Sequence, residues 1–202
     1  MNFYDVINAR HTVREFENIK IEAEKLERII NAGIKAPSNN HLRQWEFVLL
    51  ENDEDKKNAL RYVMEGMSMQ KVPGAEGSKE YSMYSYAIPR QYAMLIEAGA
   101  VVMPFFKAPP AWYTDAPGVN KLNGFASIWC VIENILLAAT AEGLACAIRI
   151  PVGDESEKAA KAVNAPDGYV FPCYIGIGYE KGGIRHEQYR PDAKEKIHKG
   201  KW

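Results

Sequence analysis

Apolar positions along the chain alternate between helical and strand-like periods. Phe3, Val6 and Ile7 share one face of a short helix over residues 3–9, which runs directly into Arg10, His11, Thr12 and Arg14. Over residues 22–35, Leu26, Ile29, Ile30, Gly33 and Ile34 follow the i, i+3, i+4, i+7, i+8 spacing of an amphipathic helix, and Pro37 stops it. Residues 36–41 are turn and cap formers without period, followed by Trp45, Glu46, Phe47, Val48, Leu49 and Leu50, a short β-rich run. The order is therefore helix, polar loop, buried strand. Asp53 is expected to cap a helix reaching about residue 64, because its acidic start and Lys56, Lys57 and Arg61 complement the helix dipole. Residues 66–89 mix Gly, Ser, Pro and Tyr with little period, which predicts an irregular, mobile insertion or lid.

Further on, residues 98–106 predict a strand and 107–124 a second loop rich in Pro and Gly. Such loops are the natural places for substrate contacts. Over residues 125–142, Phe125, Ile128, Trp129, Ile132, Ile135, Leu136 and Ala139 cover nearly every helical face, which predicts burial all round in a core or a dimer interface. Gly143 ends that helix. A strand over 144–150, a short helix over 155–163 and a last strand from Tyr174 to Gly178 follow, and the polar, basic tail over 182–202 cannot bury a core alone. No fixed-period repeat interrupts the pattern, so residues 1–202 are expected to form one domain.

Composition narrows the classes of function. Hydrophobic residues are 47% and charged residues 25%, enough apolar mass for a sizeable core rather than a disordered chain. With 25 basic against 26 acidic residues, the formal net charge of -1 supplies no global field for nucleic acid or an anionic membrane, so any anion site must be local. Neither long apolar stretch reads as a membrane span: 98–106 is too short and 125–141 carries Glu133 and Asn134. The N-terminal segment lacks the apolar run of a signal peptide. Cys130, Cys146 and Cys173 lie in apolar runs without metal-knuckle or CxxC spacing, and are expected to be buried small hydrophobes in a reduced, cytoplasmic protein with no metal site.

Arg10, Thr12 and Arg14 are the first candidate for local anion chemistry. Guanidinium forks match phosphate oxygens and the hydroxyl adds a donor, yet by residue type alone two arginines near a helix end are more often solvated surface charges or local ion pairs. Order and spacing change the picture. Arg10-His11-Thr12-x-Arg14-x-Phe16, then a helix, then Ala36-Pro37-Ser38-x-x-His41 and Trp45-x-Phe47-Val48 strongly resemble the start of the nitroreductase family. The resemblance continues through Glu133-Asn134-Ile135-Leu136-Leu137-Ala138-Ala139, the Glu142-Gly143-Leu144 turn, the strand Ile175-Gly176-Ile177-Gly178-Tyr179 and a tail with Arg190-Pro191 and Trp202.

That resemblance implies an α+β fold: a mixed sheet flanked by helices, dimerised through long helices, with a C-terminal extension wrapping the partner subunit. It also implies FMN held at the interface of a homodimer. NADH or NADPH serves as transient donor, and a nitroaromatic, quinone or similar small molecule as acceptor in a ping-pong cycle. No catalytic side chain is required, because the flavin carries the chemistry, and no G-x-G-x-x-G or P-loop is present. Carried over residue by residue, Arg10 and Thr12 match phosphate-holding positions, His11 a position along the flavin, and Arg14 a cation near the pyrimidine edge, where it would stabilise the reduced ring. Pro37, Ser38, Asn39 and His41 match the loop that reaches the flavin from the other subunit. Gln91, Ile148 and Arg149 are further candidate contacts, and Arg190 is the candidate phosphate arginine of the tail.

Trp112, Tyr113 and Phe125 could wall the flavin face for flat acceptors, or could simply pack in the core or a dimer contact. The loop departs from the family pattern: His41 stands for the usual Asn, Arg43 for Gln and Gln44 for Pro. That altered loop leaves a second reading open, an FMN-binding or flavin-carrier dimer without turnover, and flavin-cleaving or dehalogenating relatives share the same fold.

Overall fold

A computed structural model describes residues 1–109, 118–182 and 191–202. Trp112, Tyr113 and Arg190 lie outside the described residues. Helix α1 spans Phe3–Ala9, opened by a reciprocal capping box between Asn2 and Asp5. Helix α2 spans Ala23–Gly33 and strand β1 spans Trp45–Leu50. Asn52, not Asp53, caps helix α3 (Asp53–Leu60), its side chain accepting from the Asp55 amide. The chain continues through α4 (Val63–Met69), α5 (Lys79–Ala87), α6 (Gln91–Ile96) and β2 (Ala100–Lys107). Then come α7 (Asn123–Ala141), β3 (Ala145–Arg149), α8 (Glu155–Ala162), β4 (Tyr169–Val170) and β5 (Tyr174–Gly178).

The strands run β1-β2-β5-β3, with β4 beside the end of β2. Every pairing among these named strands is antiparallel. Among the described residues, the parallel component of the expected mixed sheet is a single bridge, between Thr12 and Cys146 on the outer edge of β3.

Strand β2 shows why its sequence has no polar alternation. Ala100, Val102 and Phe106 join one core with Leu26 and Ile29 of α2 and Ile128, Val131, Ile132 and Ile135 of α7. Val101, Met103 and Phe105 join the opposite core with Leu60 of α3, Met94 and Leu95 of α6 and Ala159 of α8. Both faces of the strand are covered, so both sets of side chains must be apolar. The result is three layers, helices on either side of one sheet. Helices α2 and α7 approach closely because Gly33 has no side chain; a Cβ there would sit 2.7 Å from Ile135. Helix α7 is long and apolar enough to cross a membrane, but its inner residues are the centre of this core.

Three expectations need correction. Residues 66–89 are not an irregular insertion: they contain the last turn of α4, all of α5 and a 3-10 turn at Ile88–Arg90. Ser78 caps α5 by accepting from the Tyr81 amide, a local signal masked by the surrounding Gly and Pro. Second, within a single chain α7 is not buried all round: Ala126, Cys130 and Glu133 face outward, and only a partner could cover them. Third, and for that reason, Cys130 is exposed while Cys146 and Cys173 are buried as expected.

Candidate functional site

The segment after α1 is fastened on both sides, and this fixes which of its side chains face outward. Arg10 leaves the helix in an extended conformation, Val13 donates its amide to the Cys146 carbonyl at 3.1 Å, and Glu17 donates to the Tyr179 carbonyl at 2.9 Å. Val13 and Phe16 drop into the core, while Thr12 is exposed and Arg10, His11 and Arg14 are half-buried. His11 is held by Ala9 O at 2.8 Å from Nδ1 and by Glu180 at 3.5 Å from Nε2.

Neither Arg10 nor Arg14 has a carboxylate partner among the described residues. Burial pulls the pKa of the Arg14 guanidinium below its ordinary value, an effect opposed by Tyr86 and Tyr84 of α5. Helix α5 is tied to this strip: Tyr86 donates to Glu15 at 3.1 Å, Arg90 donates to the Tyr86 carbonyl at 2.9 Å and sits 3.8 Å over its ring, and Arg90 pairs with Glu15. Sequence reasoning missed Tyr84, Tyr86 and Arg90 as neighbours of Arg14. Their i, i+2, i+6 placement carries no periodic signal, and only the cap at Ser78 marks the helix.

A partly desolvated guanidinium without an anion partner is costly unless something else supplies the charge or the lone pairs. Arg10, Thr12 and Arg14 therefore fit a ligand with an anionic group and an electron-rich edge, which is what a phosphorylated flavin offers.

The second candidate segment lies elsewhere on the chain. Asn39–His41 forms a 3-10 turn in which Asn40, His41 and then Arg43 take positive φ values of 51°, 54° and 45°. Positive φ is uncommon for non-glycine residues, and such strain persists where the surroundings over-determine it. Here the Ser38 hydroxyl accepts from the Arg43 amide at 3.3 Å, and the Asn39 amide donates to Ser127 Oγ of α7 at 3.1 Å. The Asn123 amide reaches Asn39 Oδ1 at 3.3 Å. Around this turn opens a pocket of about 320 Å³, lined by Ser38, Asn39 and Arg43 on one side and by Trp45, Phe106 and Gly124 on another. Pro37 and His41 are exposed beside it.

The remaining candidates divide. Ile148 is half-buried on β3, opposite Ile175. Arg149 is 2% exposed, and its side chain is turned into the protein: it pairs with Glu155, donates to Gln91 Oε1 at 3.0 Å and lies over the Tyr174 ring. The side chains of Gln91 and Arg149 thus serve each other. Phe125 is wedged between Phe106 and Trp129, with centroids 6.0 Å from each, so it packs at the core edge. Among the described residues no cluster of His, Cys, Asp or Glu is arranged to hold a metal ion.

The structure brings Arg10, His11, Thr12 and Arg14 into one strip and Ser38 and Asn39 into one pocket, but keeps the two groups apart. Asn39 meets α7 at Ser127 and Cys146 meets it at Leu136. Nine residues of helix rise about 14 Å.

The Nitroreductase family model matches residues 7–179 of this sequence. The chain belongs to the nitroreductase family. A Methanothermobacter thermautotrophicus protein named for NADH dehydrogenase or NAD(P)H nitroreductase is 24% identical over 208 residues, spanning 100% of this chain and 88% of its own. The fold is shared with a crystal structure of oxidized iodotyrosine deiodinase bound to FMN and 3-iodo-L-tyrosine, at TM-score 0.78, 19% identity and 100% coverage of both chains. It is shared also with a BluB-like flavoprotein from Clostridium difficile, at TM-score 0.75, 20% identity and 98% coverage of both. Nitroreductase-family folds thus accompany several named activities, and the acceptor has to be argued from this chain's own residues.

Proposed function

We propose that this protein is an FMN-dependent oxidoreductase that takes reducing equivalents from NADH or NADPH and delivers them to a nitroaromatic, quinone or similar flat acceptor. The observation that carries this reading is the strip of two guanidiniums, without an ion-pair partner among the described residues, and a hydroxyl along the edge of β3, which suits the phosphate and the electron-rich edge of FMN. FMN, when bound, supplies the two-electron relay of a ping-pong cycle. Arg10 and Thr12 bind the phosphate by charge-assisted and hydroxyl hydrogen bonds. Arg14 holds positive charge where the reduced ring gathers negative charge, and its partial desolvation strengthens that field. Thr12 and Val13 orient the strip through their backbone pairing with Cys146. Backbone contacts from Ile148 and Arg149 belong to this reading too; the Arg149 side chain does not.

The separation of the two half-sites supports a homodimer in this reading. One copy would offer Arg10 to Arg14, and the other Pro37, Ser38, Asn39 and His41. The apolar surface for such pairing is present: α1 packs on α7 and leaves Phe3, Tyr4 and Ile7 64%, 75% and 44% exposed, and α7 turns Ala126 and Cys130 outward. Cys130 reports on this face. The thiols of Cys146 and Cys173 are buried and burial pushes both pKa values up, that of Cys146 to about 12, so neither competes for label. Native protein at micromolar concentration is expected to label slowly, with one thiol per chain becoming reactive on dilution. Fast labelling of Cys130 in a species that sediments as a dimer would place the interface on another face.

The function is tested by the visible spectrum of protein loaded with FMN, desalted and mixed anaerobically with NADH or NADPH. A retained flavin band that bleaches is expected, and the Arg14→Ala variant should show a lower midpoint potential with a smaller change in flavin affinity. Flavin that dithionite bleaches but neither nicotinamide does would favour the flavin-carrier reading suggested by the altered loop at His41, Arg43 and Gln44.

A further inference from the structure

The 320 Å³ pocket beside the strained turn has two chemical halves. Trp45, Phe106, Leu42 and Pro109 give it apolar walls. Arg43, Lys107 and Lys121 also line it, and no Asp or Glu does among the described residues. None of the three cations has an ion-pair partner among those residues. The N-terminus of α7 opens here as well: Asn123 and Gly124 line the pocket, and no side chain caps the helix at Leu122. The first amide of the helix is already bonded, Asn123 donating to the Asn120 carbonyl of the preceding 3-10 turn, so the helix contributes only its dipole to the positive charge of the three side chains. In a protein with a formal net charge of -1, this concentration of positive charge is local.

We propose that this pocket seats the carboxylate of an aromatic acid, so that the enzyme's preferred acceptor is a flat, anionic molecule. The inference deepens the oxidoreductase reading above and rests on it for the word acceptor, though not for binding. A volume of this size admits a single small ring with its acid group. The Arg43 fork matches a carboxylate in two-point contact, the two lysines act as point charges around it, and the edges of Trp45 and Phe106 with Leu42 and Pro109 give the ring an apolar boundary. Arg43 occupies the position where the family usually has Gln, so the positive charge is a departure of this chain rather than a general feature of the loop.

Two measurements on the FMN-loaded protein test this. Calorimetry without nicotinamide compares 4-nitrobenzoate with its methyl ester, which keeps the ring and removes the charge. Steady-state kinetics then compare kcat/KM for the same two compounds. The acid is expected to bind about tenfold more tightly than the ester, the size of one charge-assisted contact. That ratio should fall towards one in Lys121→Gln, which leaves the turn untouched, and further in Arg43→Gln/Lys121→Gln. Equal binding of acid and ester by the unaltered protein would overturn the proposal.

Loss of FMN from the double variant would overturn it too, by making the pocket part of the flavin's own seat. A change in NADPH-over-NADH preference with no change in the acid-to-ester ratio would overturn it by assigning the charge to the dinucleotide phosphate. Selective acid binding without turnover of either compound would uphold the pocket and remove the reductase reading instead.

Discussion

Glu155→Ala is expected to destabilise the fold by about 3–5 kcal/mol, because it leaves the Arg149 guanidinium buried without its counter-charge. The Arg149 side chain is fully enclosed and Glu155 is 2% exposed, so water cannot replace the lost partner. The carboxylate also accepts the Val152 amide at 3.1 Å, and the guanidinium spans Gln91, the Ile150 carbonyl and the Val63 carbonyl. The pair therefore ties α8, the end of β3, α6 and the start of α4 to one point. Gly66 is part of the same arrangement, since a Cβ there would overlap the Glu155 carboxylate.

Against a typical total stability of about 5–15 kcal/mol, that loss is a large fraction. Urea unfolding at fixed protein and saturating FMN concentrations would measure it, since ligand and partner both shift the apparent value. The double variant Arg149→Met/Glu155→Leu, which removes both charges and keeps volume, should recover most of the stability. A single variant within about 0.5 kcal/mol of the parent would show that the pair contributes nothing net.

Arg10→Ala is expected to weaken FMN binding by about 1.5–3 kcal/mol, the cost of one hydrogen bond to a charged group. Arg10 is half-buried at the end of α1 with no carboxylate to occupy it among the described residues, so its guanidinium is available to a phosphate without first breaking an ion pair. Fluorescence titration of the apoprotein with FMN, and in parallel with riboflavin, separates the phosphate from the ring. The variant should lose affinity for FMN and leave riboflavin nearly unchanged. Unchanged FMN affinity would remove the phosphate role from Arg10.

The two variants test different levels of organisation, and that difference mirrors how the chain could be read. Apolar periodicity placed α1, β1, α7 and β5 to within a residue or two, because burial on a helix or strand face is a local property of spacing. The motif order around Arg10, Arg14, Pro37 and Ser38 was equally legible, since it depends only on residue identity and separation. The pocket beside Ser38 and Asn39 was not. It depends on α7 delivering Ser127 and Asn123 to a turn more than eighty residues earlier, and on β2 delivering Phe106 and Lys107 to the same place.

Arg149 shows the same division. In sequence it stands at the end of an apolar strand, where the family resemblance made it a candidate backbone contact and said nothing of where its side chain would go. The fold turns it inward, because Glu155, six residues later, caps it from α8 while Gln91 meets it from α6. Cys130 is the converse case, an apolar-run cysteine left outside because only one stripe of α7 faces away from the sheet. The sequence by itself determined the family, through the order and spacing of its motifs, and that resemblance in turn implied a sheet flanked by helices. Tertiary structure alone decided which charges are paired inside the fold and which have no ion-pair partner among the described residues. That choice depends on contacts across dozens to more than a hundred residues, which no local pattern encodes.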